Sequence, residues 1–219
     1  MIMIKAVIFD MDGVLIDTEK HYNAAWCEAA QAAGFDFTRE HALMLRSCDA
    51  RVACRMMQEI FGERFDYYAI REVRRELVAK RLARYGLERK PGIDEILGYL
   101  KEKGIKAAVA TATPLELTLQ HLEKIGVKDC FDEIVSAKQV TNGKPAPDVY
   151  LYACEQIGER PQDCIAVEDS PNGIKAAYAA GCMPVMVPDL TPPDDEIRPL
   201  LYAEAKTLAD IRTIIEADK

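Results

Sequence analysis

Two carboxylates one residue apart, Asp10 and Asp12, follow directly on the apolar run Val7-Ile8-Phe9 and precede Gly13. If the run forms a buried strand, the two-residue period turns both side chains toward the same side of the sheet where the strand ends. Two anions in one small site repel, and burial penalises the charged form of each, so the pair asks for a cation. A hard, oxygen-ligated ion such as Mg²⁺ fits best. Asp and Gly are also ordinary turn residues, so an Asp-rich turn at a strand end accounts for the same letters. The choice between the two depends on what else the chain brings to this place.

Three further segments end in chemistry. The run Ile105 to Thr111 reads as a buried strand closing on a hydroxyl, and Cys164 to Val167 runs into Glu168-Asp169-Ser170-Pro171. A short strand near Ile134 to Ser136 precedes the loop Asn142-Gly143-Lys144-Pro145, and Pro184 to Val187 forms a last core strand. Helical patterns separate them: Ile93 to Gly104, a helix to Ile125 opened by Thr113-Pro114-Leu115-Glu116 as a capping box, about Pro147 to Ile157, and a small-residue helix around Ala176 to Gly181. After the Pro- and acid-rich loop 188–199, Thr207 opens a final helix with Leu208, Ile211 and Ile215 inward. Strands alternating with helices imply an α/β fold, a Rossmann-like parallel sheet with helices on both faces. The ligand crevice of such a sheet lies beyond the carboxyl ends of its strands. Asp10, Asp12, Thr111, Lys144, Glu168 and Asp169 would then converge on one rim. Carboxylates with a hard metal, and a lysine and hydroxyl to neutralise and orient three oxygens, are what phosphoryl transfer requires.

The stretch 18–86 contributes no strand. Residues 18–33 read as a helix stopped by Gly34, Thr38 caps a helix through Leu45, and Val52, Met56 and Ile60 mark one face of the next. In 66–86, Ile70, Val73, Leu77 and Leu82 share a side, while Arg71, Arg74, Arg75, Lys80 and Arg81 lie mainly elsewhere and read as a solvated face. This stretch is expected to be a small all-helical cap inserted after the first strand, giving a core of residues 1–16 and 88–219 and a cap of 17–87.

The chain has 219 residues, 49% of them hydrophobic, enough for one sizeable core plus a small insert. A net charge of -8 argues against nucleic acid, which needs a basic face. The apolar start Met1-Ile2-Met3-Ile4 is too short for a signal or a membrane span. Seven scattered cysteines without a C-x-x-C pair read as reduced thiols. The expectation is a cytoplasmic protein off the membrane, acting as a monomer.

Asp10-Met11-Asp12-Gly13-Val14, the strand ending at Thr111, Lys144-Pro145 with Pro147-Asp148, and Glu168-Asp169-Ser170 resemble, in order, the four motifs of the haloacid dehalogenase superfamily. The likeness is to its helical-cap branch, which contains sugar phosphatases and beta-phosphoglucomutase. The resemblance implies Asp10 as nucleophile, Asp12 as general acid and base, and Lys144 bridging Asp10 and the phosphate. Thr111 and the backbone around Ala112 would bind phosphate oxygens. Mg²⁺ would sit on the Asp10 carboxylate, the Asp12 backbone carbonyl and Asp169, with Glu168 nearby or through water. Asp17-Thr18-Glu19 resembles the family's hinge, which adds Thr18 to the substrate side. An Asp at position 12 favours C–O–P chemistry, since related dehalogenases lack it. Many relatives, the mutase included, have His where this chain has Tyr22. His21 would point elsewhere and reads as a surface histidine, and neither Arg46 nor Arg51 falls in register with the mutase's cap arginine. A phosphatase of a small phosphorylated metabolite, a sugar phosphate in particular, is therefore expected ahead of a beta-phosphoglucomutase. A phospho-aspartate receiver-like binding module comes third, because it would need neither the second Asp nor a cap.

Overall fold

The computed structural model describes residues 4–217; most of the apolar start, residues 1–3, lies outside the described residues. Its sheet has six strands in the order β3-β2-β1-β4-β5-β6, every pair parallel. They are β1 (Ala6–Phe9), β2 (Lys106–Thr111), β3 (Glu133–Ser136), β4 (Cys164–Glu168), β5 (Met183–Met186) and β6 (Ala203–Glu204). The four residues of β1 are wholly buried, and alternation divides them between two cores. Val7 and Phe9 pack with Ile96, Leu100 and Ile211 on one face of the sheet, while Ala6 and Ile8 pack with Tyr150, Ala153 and Ala177 on the other.

Helices α1 (Glu19–Ala32), α2 (Arg39–Met44), α3 (Ala50–Phe61) and α4 (Tyr67–Tyr85) stand between β1 and β2 and form the helical cap. They bury their own aromatic centre of Trp26, Phe37, Phe65 and Tyr67. The remaining helices, α5 (Ile93–Lys103), α6 (Leu115–Lys124), α7 (Asp148–Ile157), α8 (Pro171–Ala179) and α9 (Ile211–Ala217), flank the sheet. The two chain crossings into the cap run side by side: Asp17 N–H donates to Glu88 C=O at 2.9 Å and Lys90 N–H to Leu15 C=O at 3.0 Å.

The cap helices are rotated from the faces expected above. Ala53 and Met57, rather than Val52 and Ile60, are the buried residues of α3, and Ile60 is 43% exposed. In α4 Ile70 is buried as expected, but Val78 joins it while Val73 is 46% exposed. Apolar residues fill two adjacent stripes of each helix, and the cap can bury only one. The two-residue strand β6 is not among the strands expected above, although Leu200-Leu201-Tyr202 runs into it. No helix among the described residues is long and apolar enough to cross a membrane.

Candidate active site

Asp10 extends β1 by one residue, its N–H donating to Val167 C=O of β4 at 2.9 Å. Because β1 is flanked by β2 and β4, its carboxyl end is where crossovers leave the sheet in opposite directions, the place an open parallel sheet leaves for a ligand. The carboxyl ends of β1, β2 and β4 and the loop before α7 meet there.

Lys144, from that loop, is fully buried beneath the floor. Its Nζ donates to Asp10 Oδ1 at 2.7 Å, to Glu168 Oε1 at 2.6 Å and to Ala110 C=O at 3.0 Å, so all three ammonium protons are used. Glu168 Oε1 also accepts the Tyr150 hydroxyl at 2.6 Å, and Oε2 the Ser170 hydroxyl at 3.3 Å. Ser170 in turn caps α8, accepting the Gly173 N–H, with Pro171 at the first helical position, as the sequence indicated.

Asp12 is held apart from this group. Its Oδ1 accepts the Thr18 hydroxyl at 2.6 Å and its Oδ2 the Thr113 hydroxyl at 2.7 Å. Thr18 is thus brought to the general acid candidate. Thr113, expected to cap α6, does not: the cap position falls on Pro114, with no side-chain cap, which frees the Thr113 hydroxyl for Asp12. Thr111 is buried at the end of β2, its Oγ1 accepting the Thr113 N–H at 3.1 Å. Ala112 lines the cavity above.

Asp10, Glu168 and Asp169 each offer a carboxylate oxygen, all within 4.8 Å of one another and all buried. Asp169 Oδ1 is buried with no hydrogen-bond partner. Gly13 (φ 85°) packs so closely here that a Cβ would stand 2.5 Å from Asp169 Oδ2. An orphaned carboxylate oxygen in an all-oxygen cluster fits a hard divalent cation. The side chain of Asp12 is not in the cluster, which leaves only its backbone for the metal role expected of it.

Two charged residues enter that the sequence reading did not place in the site. Arg46, in the turn after α2, is buried and donates to Asp169 Oδ2 at 3.2 Å and to the Thr191 hydroxyl at 2.5 Å. Ser47 beside it takes a left-handed backbone (φ 50°), uncommon for a non-glycine residue. Glu19, the first residue of α1, is also buried. Five buried carboxylates (Asp10, Asp12, Glu19, Glu168, Asp169) therefore face two buried cations, Lys144 and Arg46. Burial pushes Asp10 up to about 7, against the pull of Lys144, and with the Asp12 charge it pushes Glu19 up to about 8. Burial and Glu19 hold Asp169 well above the ordinary range.

The cavity between cap and core has a volume of about 730 Å³. Asp10, Asp12 and Thr111 to Thr113 line its core side, and Tyr22, Trp26 and Arg74 line its cap side. His21 stacks on Tyr85 at 5.7 Å and does not line it; the histidine is buried, not at the surface as expected. Arg51 stays exposed, donating to Thr141 C=O at 2.8 Å.

A sequence model of the haloacid dehalogenase-like hydrolases matches residues 4–181. The chain belongs to the haloacid dehalogenase-like hydrolases. This hydrolase is 36% identical over 177 residues to a phosphorylated carbohydrates phosphatase of Thermotoga maritima, covering 81% of this chain and 82% of that one. It is 32% identical over 189 residues to hexitol phosphatase B of Escherichia coli, covering 84% of each. Its fold matches a beta-phosphoglucomutase of Clostridium difficile with a TM-score of 0.82 over 99% of both chains, at 23% identity. The enzyme class and the capped parallel-sheet fold expected from the four motifs thus hold.

Proposed function

We propose that this hydrolase is a cytoplasmic, Mg²⁺-dependent phosphatase of a small phosphorylated metabolite, in particular a sugar phosphate, working through an aspartyl phosphate on Asp10. The observation that carries the reading is the separation of the two aspartates. Asp10 sits on Lys144 and in the carboxylate cluster, whereas both oxygens of Asp12 are held by hydroxyls outside it. The phosphatase and hexitol phosphatase among its relatives support the substrate class.

Asp10, Asp169 and Glu168, with the Asp12 backbone, would hold the Mg²⁺; bound there, it would offset the negative charge of the cluster and of an incoming phosphate. Asp10 then attacks phosphorus, with Lys144 fixing its Oδ1. The Thr111 hydroxyl, whose oxygen already accepts the Thr113 N–H, turns its own proton to a phosphoryl oxygen. Asp12 protonates the leaving alkoxide and next deprotonates the water that opens the aspartyl phosphate. The hydroxyls of Thr18 and Thr113 donate to the ionised Asp12, and either can rotate to accept when it is protonated. We assign residues 1–16 and 88–219 to the catalytic core and 17–87 to the cap that excludes bulk water, supported by the paired crossings at Leu15–Asp17 and Glu88–Lys90.

The test offers the protein a panel of sugar monophosphates, and beta-glucose 1-phosphate with catalytic bisphosphate, and follows free phosphate and glucose 6-phosphate. Phosphate release that disappears in Asp10→Asn is the expected result. Isomer without release would make it a mutase, a stable phosphoprotein without turnover would make it a receiver-like module, and near-normal release in Asp10→Asn would remove Asp10 as nucleophile.

A further inference from the structure

Arg74, on the cap helix α4, rests against two aromatic rings of α1, its guanidinium 4.9 Å from the centre of Tyr22 and 4.9 Å from that of Trp26. Its Nε is buried without a hydrogen-bond partner, and among the described residues Arg74 makes no ion pair. Arg71, one turn earlier and also on the cavity wall, is likewise without an ion pair among them. Arg75 beside them is paired with Glu72 at 2.9 Å. From the core side, the last turn of α6 presents Lys124 to the same cavity. The acids lining the cavity, Asp10, Asp12, Glu19 and Glu116, form no ion pair with Arg71 or Arg74. Burial, with the neighbouring Arg71 charge, draws the Arg74 guanidinium below its ordinary value, and the pull of Tyr22, Tyr67 and Glu19 offsets this only in part.

A guanidinium resting against aromatic rings without an anionic partner keeps its planar fork of N–H donors, which matches a carboxylate or phosphate in a forked pair. A neutral polyol tail would leave this desolvated charge unpaired, at a cost in binding. The cavity, at about 730 Å³, is large enough for a metabolite that spans from the sheet to α4. Resting on the phosphatase reading above, we propose that the substrate carries a second acidic group, carboxylate or phosphate, across the cavity from the phosphoryl group that Asp10 attacks. Arg74, with Arg71, receives it.

Matched probes test this: glucitol 6-phosphate against 6-phosphogluconate and glucitol 1,6-bisphosphate, and glycerol 3-phosphate against 3-phosphoglycerate. The acid-bearing member of at least one set should exceed its neutral partner in kcat/KM by about tenfold or more, the discrimination a site built for a polar group makes against an analogue lacking it. Whether the carboxylate or the bisphosphate gains tells which acid is meant. Arg74→Gln should shrink that ratio mainly through KM, Arg74→Lys should retain part of it, and Arg71→Gln should shrink it less. Equal or reversed preference at both chain lengths in the natural protein overturns the proposal, as does an Arg74→Gln variant that keeps its native circular dichroism but loses the same factor on neutral and acidic members alike. Titration calorimetry of the same ligands with Asp10→Asn reads the preference as binding. Absent hydrolysis of every probe would then count against the phosphatase reading and leave the second-acid proposal to the calorimetric ratio.

Discussion

Lys144 donates at once to Asp10, to Glu168 and to the end of β2, without exposure to water. A buried ammonium with two carboxylate partners holds them by charge, and removing one member of such a group strands the others. Lys144→Met should therefore lower stability by about 3–5 kcal/mol in urea unfolding. It should also cut phosphate release by roughly a thousandfold, the scale of losing a fixed charge at the reacting group. Thr113 is a milder case. Thr113→Val removes one of the two donors to Asp12 and should lower kcat by about tenfold with KM little changed, whereas Thr113→Ser keeps the hydroxyl and most of the rate. Steady-state kinetics on the three proteins decides it; equal rates in Thr113→Val would show that Thr18 alone orients Asp12.

The loop from β4 into α8 shows how one helix start serves the site. A Cβ on Gly173 would lie 1.9 Å from Glu168 Cδ, so the first turn of α8 can seat the carboxylate only without a side chain there. Gly173→Ala should cost on the order of 3 kcal/mol in thermal or urea unfolding, as overpacking of a closed site does, and should reduce activity with it. Ser170-Pro171 was legible as a cap because the sequence signature and the backbone agree. Thr113-Pro114-Leu115-Glu116 carries the same signature, yet Pro114 takes the cap position with an extended ψ of 140° and the threonine is released to Asp12. Local pattern cannot tell these apart, because the difference lies in Asp12, distant in sequence. Arg46 was unreadable for the same reason: the turn at Ser47 aims it at Asp169, 123 residues away. What periodicity and strand ends did reveal was the sheet, the inserted helices and the set Asp10, Asp12, Thr111, Lys144, Glu168, Asp169, all of which stand at a chain end of a strand or in the loop that follows one.

Across the whole molecule, the excess of buried carboxylates makes stability a matter of pH and cation together. Asp10 and Glu19 are raised by burial, to about 7 and about 8. The native state thus binds more protons than the unfolded chain between roughly pH 4 and 8, and stability falls as pH rises through that window. Metal-free protein should lose melting temperature from pH 5 to pH 8, and Mg²⁺ should restore it most at the alkaline end. Calorimetric melts with chelator and with Mg²⁺ at several pH values check this, and a Mg²⁺ effect independent of pH would contradict it. The strand order has a different consequence, one of time. β1 lies at the middle of the sheet, yet its partners begin at Lys106 and Cys164. During synthesis β1 waits about 100 residues for its first neighbour and about 160 for its second, while the cap helices that follow it already hold their own aromatic centre. Asp10 is thus made well before Lys144, Glu168 and Asp169, the residues that gather around it.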